Sequence, residues 1–204
     1  MGKDFETLNV AFKPYPCCRW IHPSIDASLA IQKEHDVDLG DVEEIIVRSV
    51  GRLTEWRPFN MRDPPKSMVE AQFCAPYAIS VALFGVPEGP DWYSSCNLKN
   101  LEILKLASKV KLIPDSEADR VAYEEGRVMS TVEMKTAKGS YTFRIDSARG
   151  ERDNPVTLGF IRSKFRNLAS SILNHDKIKE AVNMIDCLEE VENARNLIRK
   201  LIPG

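Results

Sequence analysis

The sequence predicts an α+β fold: an antiparallel sheet with helices, followed by a C-terminal three-helix segment. Three observations carry this. Val128, Ser130, Val132 and Met134 alternate with Met129, Thr131, Glu133 and Lys135. After a turn at Lys138-Gly139, Tyr141, Phe143 and Ile145 alternate with Thr142, Arg144 and Asp146. Two such runs, each apolar on one face, read as an antiparallel hairpin covered on one side. Glu43-Glu44-Ile45-Ile46-Val47-Arg48-Ser49-Val50 is a β-branched run and predicts a further strand. Beyond Pro155 the apolar residues recur only at helical spacing. Ile161, Phe165, Leu168 and Ile172 form one stripe, Ile178, Ala181, Val182 and Ile185 a second, and Val191, Ala194, Ile198 and Leu201 a third.

Taken in order, residues 5–12 alternate loosely between apolar and polar and predict a first strand. Pro14, Pro16 and Pro23 then fix φ and restrain the residues before them. Lys13 to His22 is therefore expected to be a stiff, non-helical strap. A helix follows from about Ser24 to Glu34, with Pro23 or Ser24 in its first turn. His35 falls in an acidic, solvated connection. Gly51 to Pro65 reads as irregular, because Asp63-Pro64-Pro65 bars a helix before Lys66. Ser67 and Glu70 have capping-box spacing and open an apolar helix that reaches Leu83 and stops at Gly85. Pro76 should kink or split it. Gln72 is polar within its apolar part, and either completes a buried hydrogen-bond network or faces a site. Asn97 is placed to cap a helix over Leu98–Lys109. Val110–Pro114 reads as a short strand, Glu117–Gly126 as a loop or single turn, and Asn174-His175-Asp176 as a helix-capping turn.

The pattern changes character at Ala148–Pro155, which sets a boundary near residue 152. Residues 1–152 form an α+β domain and 153–204 the C-terminal helices. The latter are too few to bury a core of their own and want another surface. Of the 204 residues, 43% are apolar and 28% charged, and the net charge is −2. Both signs are mixed along the chain, which argues against nucleic-acid binding. No apolar run approaches about 18 residues, so no membrane helix is expected. Met1–Glu6 lacks the apolar region of a signal peptide, and Glu6 stands where a myristoylation signal needs Ser or Thr. The five cysteines show no CxxC pair. They read as reduced thiols of a cytoplasmic protein. Cys17, Cys18 and His22 are the nearest approach to a zinc set, but adjacent cysteines share a tetrahedral metal poorly, and no metal is expected.

The strap gathers the candidate chemistry. His22 ends it at a helix start, where the dipole disfavours a cation and suits a general base or oriented donor. Lys13 sits at its other end. With Arg19, Arg149 and Lys66 it can form a cationic pocket for a carboxylate substrate. The competing readings are a surface turn over buried cysteines and solvated surface charges. There is no phosphate loop, nucleophile elbow or dinucleotide fingerprint.

Lys13-Pro14-Tyr15-Pro16-Cys17-Cys18, His22-Pro23 and Ile25-Asp26-Ala27 resemble the signature of the MmgE/PrpD family. The stretch Ala71-Gln72-Phe73-Cys74-Ala75-Pro76-Tyr77-Ala78 resembles the family's AQFSLPYA helix. Arg149-Gly150, Asn154-Pro155 and Lys164-Phe165-Arg166-Asn167-Leu168-Ala169 resemble its RGDPENP and KFRxLA segments. That family includes dehydratases of 2-methylcitrate, decarboxylases of cis-aconitate and epimerases of iminodisuccinate. The resemblance implies a chorismate mutase-like second domain plus returning helices, without the large helical first domain. It implies cofactor-free proton abstraction beside a carboxylate of a small di- or tricarboxylate, then elimination or epimerisation. Lys13 matches the family's loop lysine, and His22 or Cys18 stands for its loop histidine. Arg19, Gln72, Arg149 and Cys18 become substrate-binding candidates, with Lys13 and His22 catalytic. The site would be completed by a separate helical-domain chain, or the chain is a non-catalytic, oligomerising remnant. The expected partner is a second copy of the chain or a separate helical-domain chain.

Overall fold

Two hairpin strands and two further strands meet in one sheet. The computed structural model describes every residue except Met1, Asp4, Met61, Arg62, Pro203 and Gly204. It divides into two units, Met1–Pro155 and Val156–Gly204.

In the first unit the chain begins with a 3-10 turn, Glu6–Asn9, not a strand. Alternation alone is no ladder, and Phe5, Leu8, Val10 and Phe12 stay exposed here. The strap ends in a 3-10 turn at Arg19–Ile21. Helix α1, His22–His35, carries Pro23 in its first turn and ends at Asp36 in the left-handed region. His35 is thus the last residue of α1, stacked on Tyr141. Strand β1, Val42–Ser49, follows. The stretch expected to be irregular opens with a short helix α2, Gly51–Glu55, whose first amide donates to Asp119; within that stretch, residues 61 and 62 lie outside the described residues.

Pro76 splits the apolar helix, as its missing N–H requires. The halves are α3, Met68–Phe73, and α4, Ala75–Leu83, joined at Cys74. Ser67 caps α3 by accepting from the Glu70 amide, while the Glu70 carboxylate accepts from the Lys66 amide at 2.6 Å. Gly85 closes α4 at φ +70°. The next helix is two: α5, Ser95–Leu98, and α6, Leu101–Ala107. Asn100, not Asn97, caps the longer one, and Ser94 caps the shorter. Strand β2 spans Val110–Pro114. The acidic stretch after it is a full helix α7, Ser116–Glu124, capped by Asp115, with Ala118 and Val121 turned inward. The hairpin is β3, Ser130–Thr136, and β4, Gly139–Ile145.

Among the described residues these strands form one sheet in the order β2-β1-β3-β4. It is mixed rather than wholly antiparallel. β1 pairs antiparallel with β3, and β3 with β4, but β1 and β2 run parallel. The helical crossover from β1 through α2–α6 returns the chain to the starting end, the connection a parallel pair needs. Register places Ile45, Val47 and Ser49 opposite Met134, Val132 and Ser130 on the buried face. α1 packs on β3 and β4 there, and α4 packs on α1 and α6. The opposite face is laced by ion pairs: Glu44 with Lys111 and Lys135, and Arg48 with Glu133. Buried hydroxyls bridge helix to sheet, Ser24 to Ser130 at 3.0 Å and Ser130 to Ser49 at 2.8 Å.

The second unit holds α8, Leu158–Ala169, α9, His175–Asp186, and α10, Ala194–Lys200. Asn174 caps α9. Among the described residues no helix is long and apolar enough to cross a membrane.

Candidate functional site

The strap is pinned on two sides. On one, the Cys18 amide donates to the Gln72 carbonyl at 2.9 Å, tying it to the last turn of α3. On the other, the Phe12 amide donates to the Gly150 carbonyl at 2.9 Å. Gly150 sits at φ +94°, and a Cβ there would meet the Phe12 carbonyl oxygen at 1.9 Å and Pro14 at 3.3 Å. Phe12 and Pro14 flank Lys13, so the chain folds Lys13 and Arg149 into one neighbourhood. The 148–154 turn is closed by its own Gly150 amide, which donates to the Asn154 carbonyl at 2.7 Å.

Six side chains were expected at this site. Lys13 is exposed on the strap, and Cys18 is half-buried beside it. The Lys13 charge partly offsets the burial that pushes the Cys17 thiol up. Arg149 is 38% exposed, its guanidinium 5.3 Å over the Tyr15 ring and 3.7 Å from Glu88. Gln72 is half-buried, and its backbone carbonyl makes the contact to the strap. Arg19 forms a two-toothed pair with Glu151 of the turn, so it stitches strap to turn. His22 is 2% exposed. Its Nε2–H donates to the Cys17 carbonyl at 3.3 Å, and its ring meets Tyr15 edge-on at 5.3 Å. Lys66 is exposed at the start of α3.

None of these six lines either of two clefts found among the described residues. One cleft of about 640 Å³ lies between α4, α6 and β2, lined by Cys74, Tyr77, Leu104 and Ile113. Burial lifts Cys74 to about 11 and Tyr77 to about 12 there. Another of about 680 Å³ lies within the C-terminal helices, around Arg166, Leu173 and Ile178. The strap instead carries an exposed Lys13 and the turn a half-buried Arg149, and backbone contacts join the two segments. All five cysteines are free thiols. Among the described residues no three His, Cys, Asp or Glu side chains are placed to hold a metal ion.

The family model for the MmgE/PrpD C-terminal domain matches residues 15–190. The chain belongs to the MmgE/PrpD family. The match begins just after Lys13 and takes in Cys18, Arg19, His22, Gln72 and Arg149. Cis-aconitate decarboxylase of Mus musculus is 27% identical over 202 residues, 95% of this chain and 39% of that protein. The human cis-aconitate decarboxylase is 26% identical over 201 residues, 96% of this chain and 40% of its own. A cis-aconitate decarboxylase of Aspergillus terreus (strain NIH 2624 / FGSC A1156) is 22% identical over 211 residues, 98% of this chain and 42% of its own. The chain thus spans about two fifths of the length of the curated relatives it matches.

In this MmgE/PrpD chain three residues that the sequence offered only within motifs, and not as site candidates, hold the strap and the turn in place. Tyr15 is buried between two prolines, and burial followed by the nearby Asp26 carboxylate pushes its phenol far up. Asp26 accepts from the Tyr15 hydroxyl at 2.6 Å and from the Arg149 amide at 2.9 Å. Gly150 supplies the close approach. The available signals were a tyrosine trapped between prolines and a lone glycine after an arginine.

Proposed function

We propose that the chain is the α+β half of an MmgE/PrpD lyase or isomerase that acts on a small di- or tricarboxylate by cofactor-free acid–base chemistry. The observation that carries this is the junction of strap and turn, which sets exposed Lys13 beside Arg149. Two cations on an ordered backbone suit a substrate with more than one carboxylate. In the proposed reaction a base takes the proton next to a carboxylate. The electron pair of that C–H bond moves into the carboxylate, and the Lys13 ammonium offsets the charge that develops. Loss of a neighbouring group or reprotonation then completes turnover. Decarboxylation would instead break the C–C bond to a carboxyl, release CO₂ and protonate the resulting carbanion. Cis-aconitate is the first substrate to try, because the matched relatives carry that name. His22 enters this reading as the residue that orders the strap, and Cys18, Arg19 and Gln72 as the neighbours of the bound carboxylates. The remaining acid–base groups would come from a helical part supplied by the same or another chain. Free thiols suit a reducing compartment, and the proposal places the protein in the cytoplasm.

Co-expression with a helical-domain partner, then assay on cis-aconitate, 2-methylcitrate and iminodisuccinate, tests it. Lys13→Ala should lower kcat/KM by about 10²-fold or more. Arg149→Ala should act mainly by raising KM. Turnover of none of the three, or turnover indifferent to Lys13, would overturn the reading.

A second reading is a non-catalytic, oligomerising or partner-binding remnant. The inward-facing His22 and the Arg19–Glu151 pair favour it, since both side chains are satisfied within the chain. Size-exclusion chromatography with acetylation of Lys13 separates the two. A stable homo-oligomer that shields Lys13 supports the remnant.

A further inference from the structure

We propose that Asp26 is a positioning residue of the Lys13–Arg149 site, its carboxylate fixing two separate chain segments in the geometry that receives a substrate carboxylate. This rests on the functional reading above and adds a residue to it. Asp26 lies one turn into α1, a helix anchored by the fully buried Ile21, Ile25 and Ser24. Its two oxygens are divided between the two chain segments of the site. Oδ1 accepts from the Tyr15 hydroxyl, which holds the middle of the strap. Oδ2 accepts from the Arg149 backbone amide, which holds the head of the turn.

The division matters chemically. A carboxylate offers acceptors on both oxygens and no donor, and both of its partners here are donors. An asparagine of the same shape can serve only one of them through oxygen. Its amide N–H₂ would then face either the Arg149 N–H, a donor against a donor, or the Tyr15 oxygen, which could accept only by turning its own buried proton away from Asp26. The Tyr15 ring is also the surface on which the Arg149 guanidinium rests at 5.3 Å. Asp26 thus sets both ends of one arrangement: the ring under the guanidinium through Oδ1, and the backbone that carries the guanidinium through Oδ2. Asp26 itself is only half-buried behind them and is not proposed to touch the substrate.

Two measurements on Asp26→Asn and Tyr15→Phe test this. In the chain as it stands, hydrogen exchange by mass spectrometry or NMR follows the Phe12 and Arg149 amides against Val47 and Val132 in the sheet. Asp26→Asn should speed exchange at Phe12 and Arg149 by about tenfold or more while the sheet amides keep their rates. Tyr15→Phe should loosen the strap and leave the Arg149 amide protected, because Oδ2 is untouched. In the enzyme completed by its helical part, Asp26→Asn should raise KM for cis-aconitate about tenfold with kcat within about threefold, and Asp26→Glu should not restore it. Unchanged exchange at Phe12 and Arg149 overturns the proposal. So does an equal fall of kcat with no change in KM. If the completed wild-type enzyme turns over nothing, the functional reading falls, and the exchange data alone decide whether Asp26 sets this geometry.

Discussion

Gly150 leaves no room for a methyl group. A Cβ would sit 1.9 Å from a backbone oxygen of the strap, and the backbone there is at φ +94°. Flexible side chains can yield to such a clash, but the Phe12 backbone, whose amide donates to the Gly150 carbonyl, cannot move aside without disturbing that bond. Gly150→Ala should therefore cost about 2–4 kcal/mol, more than the penalty of the strained φ alone. A urea midpoint shift with an unchanged slope would show it, and a shift below about 0.5 kcal/mol would mean the turn relaxes freely. Thiol chemistry reports burial residue by residue. Cys17 and Cys74 are buried with their thiols pushed up by desolvation, whereas Cys96 and Cys187 are exposed. A thiolate-selective reagent at pH 8 should modify Cys96 and Cys187 rapidly. It should reach Cys17 and Cys74 only on unfolding, with Cys18 between.

At the scale of elements, the polar face of the sheet predicts an acid response. Glu44 of β1 is bonded by Lys111 of β2 and Lys135 of β3, and these bonds hold its carboxyl below the ordinary 4.5. Arg144 of β4 grips Glu117 of α7 with two bonds of 2.8 Å and lowers it likewise. A carboxyl lowered in the folded state stabilises fully above its unfolded value of 4.5 and loses that contribution as pH falls below it. Urea midpoints should thus hold from pH 7 to about 5 and decline toward pH 3.5. Glu44→Gln with Glu117→Gln should flatten that decline. Added salt should shrink the wild-type advantage, because both pairs face solvent. The strands that carry these pairs were legible in the sequence, since β-branched alternation marks a half-buried surface directly. Elements set by distant partners were not. α2 begins where its first amide meets Asp119, 68 residues on. α7 hides its inward Ala118 and Val121 among acids. Asn97 and Asn100 stand three apart, and nothing local says which caps α6. At the site, the prolines announced a stiff strap. That Arg19 would be taken by Glu151, 132 residues away, and that His22 would turn inward, are decided by tertiary packing.

At the scale of the whole molecule, the two units differ in what they bury. The first holds the main core, from Tyr15 and Ile21 to Met134. The second buries Leu173, Ile178, Ala181 and Val182 but exposes Ile172, Leu188, Ile198 and Ile202. A segment of about fifty residues with so few buried side chains falls below the size at which a single core outweighs chain entropy. Its helices have good caps at Thr157, Asn174 and Asn193, each satisfying amides of a first turn. Capping contributes only about 1 kcal/mol per helix, against an ordering cost many times larger. Expressed alone, residues 156–204 should show weak helical circular dichroism and a broad, non-cooperative thermal transition. Residues 1–155 should keep sheet signal and a cooperative urea transition, because the sheet, α1 and α4 already enclose each other. A sharp transition in the isolated 156–204 segment would show that its exposed apolar residues find a partner in a second copy. That outcome would move weight toward the oligomerising remnant. A non-cooperative segment that becomes ordered only when a helical-domain chain is added would place the missing surface on that chain, as the lyase reading requires.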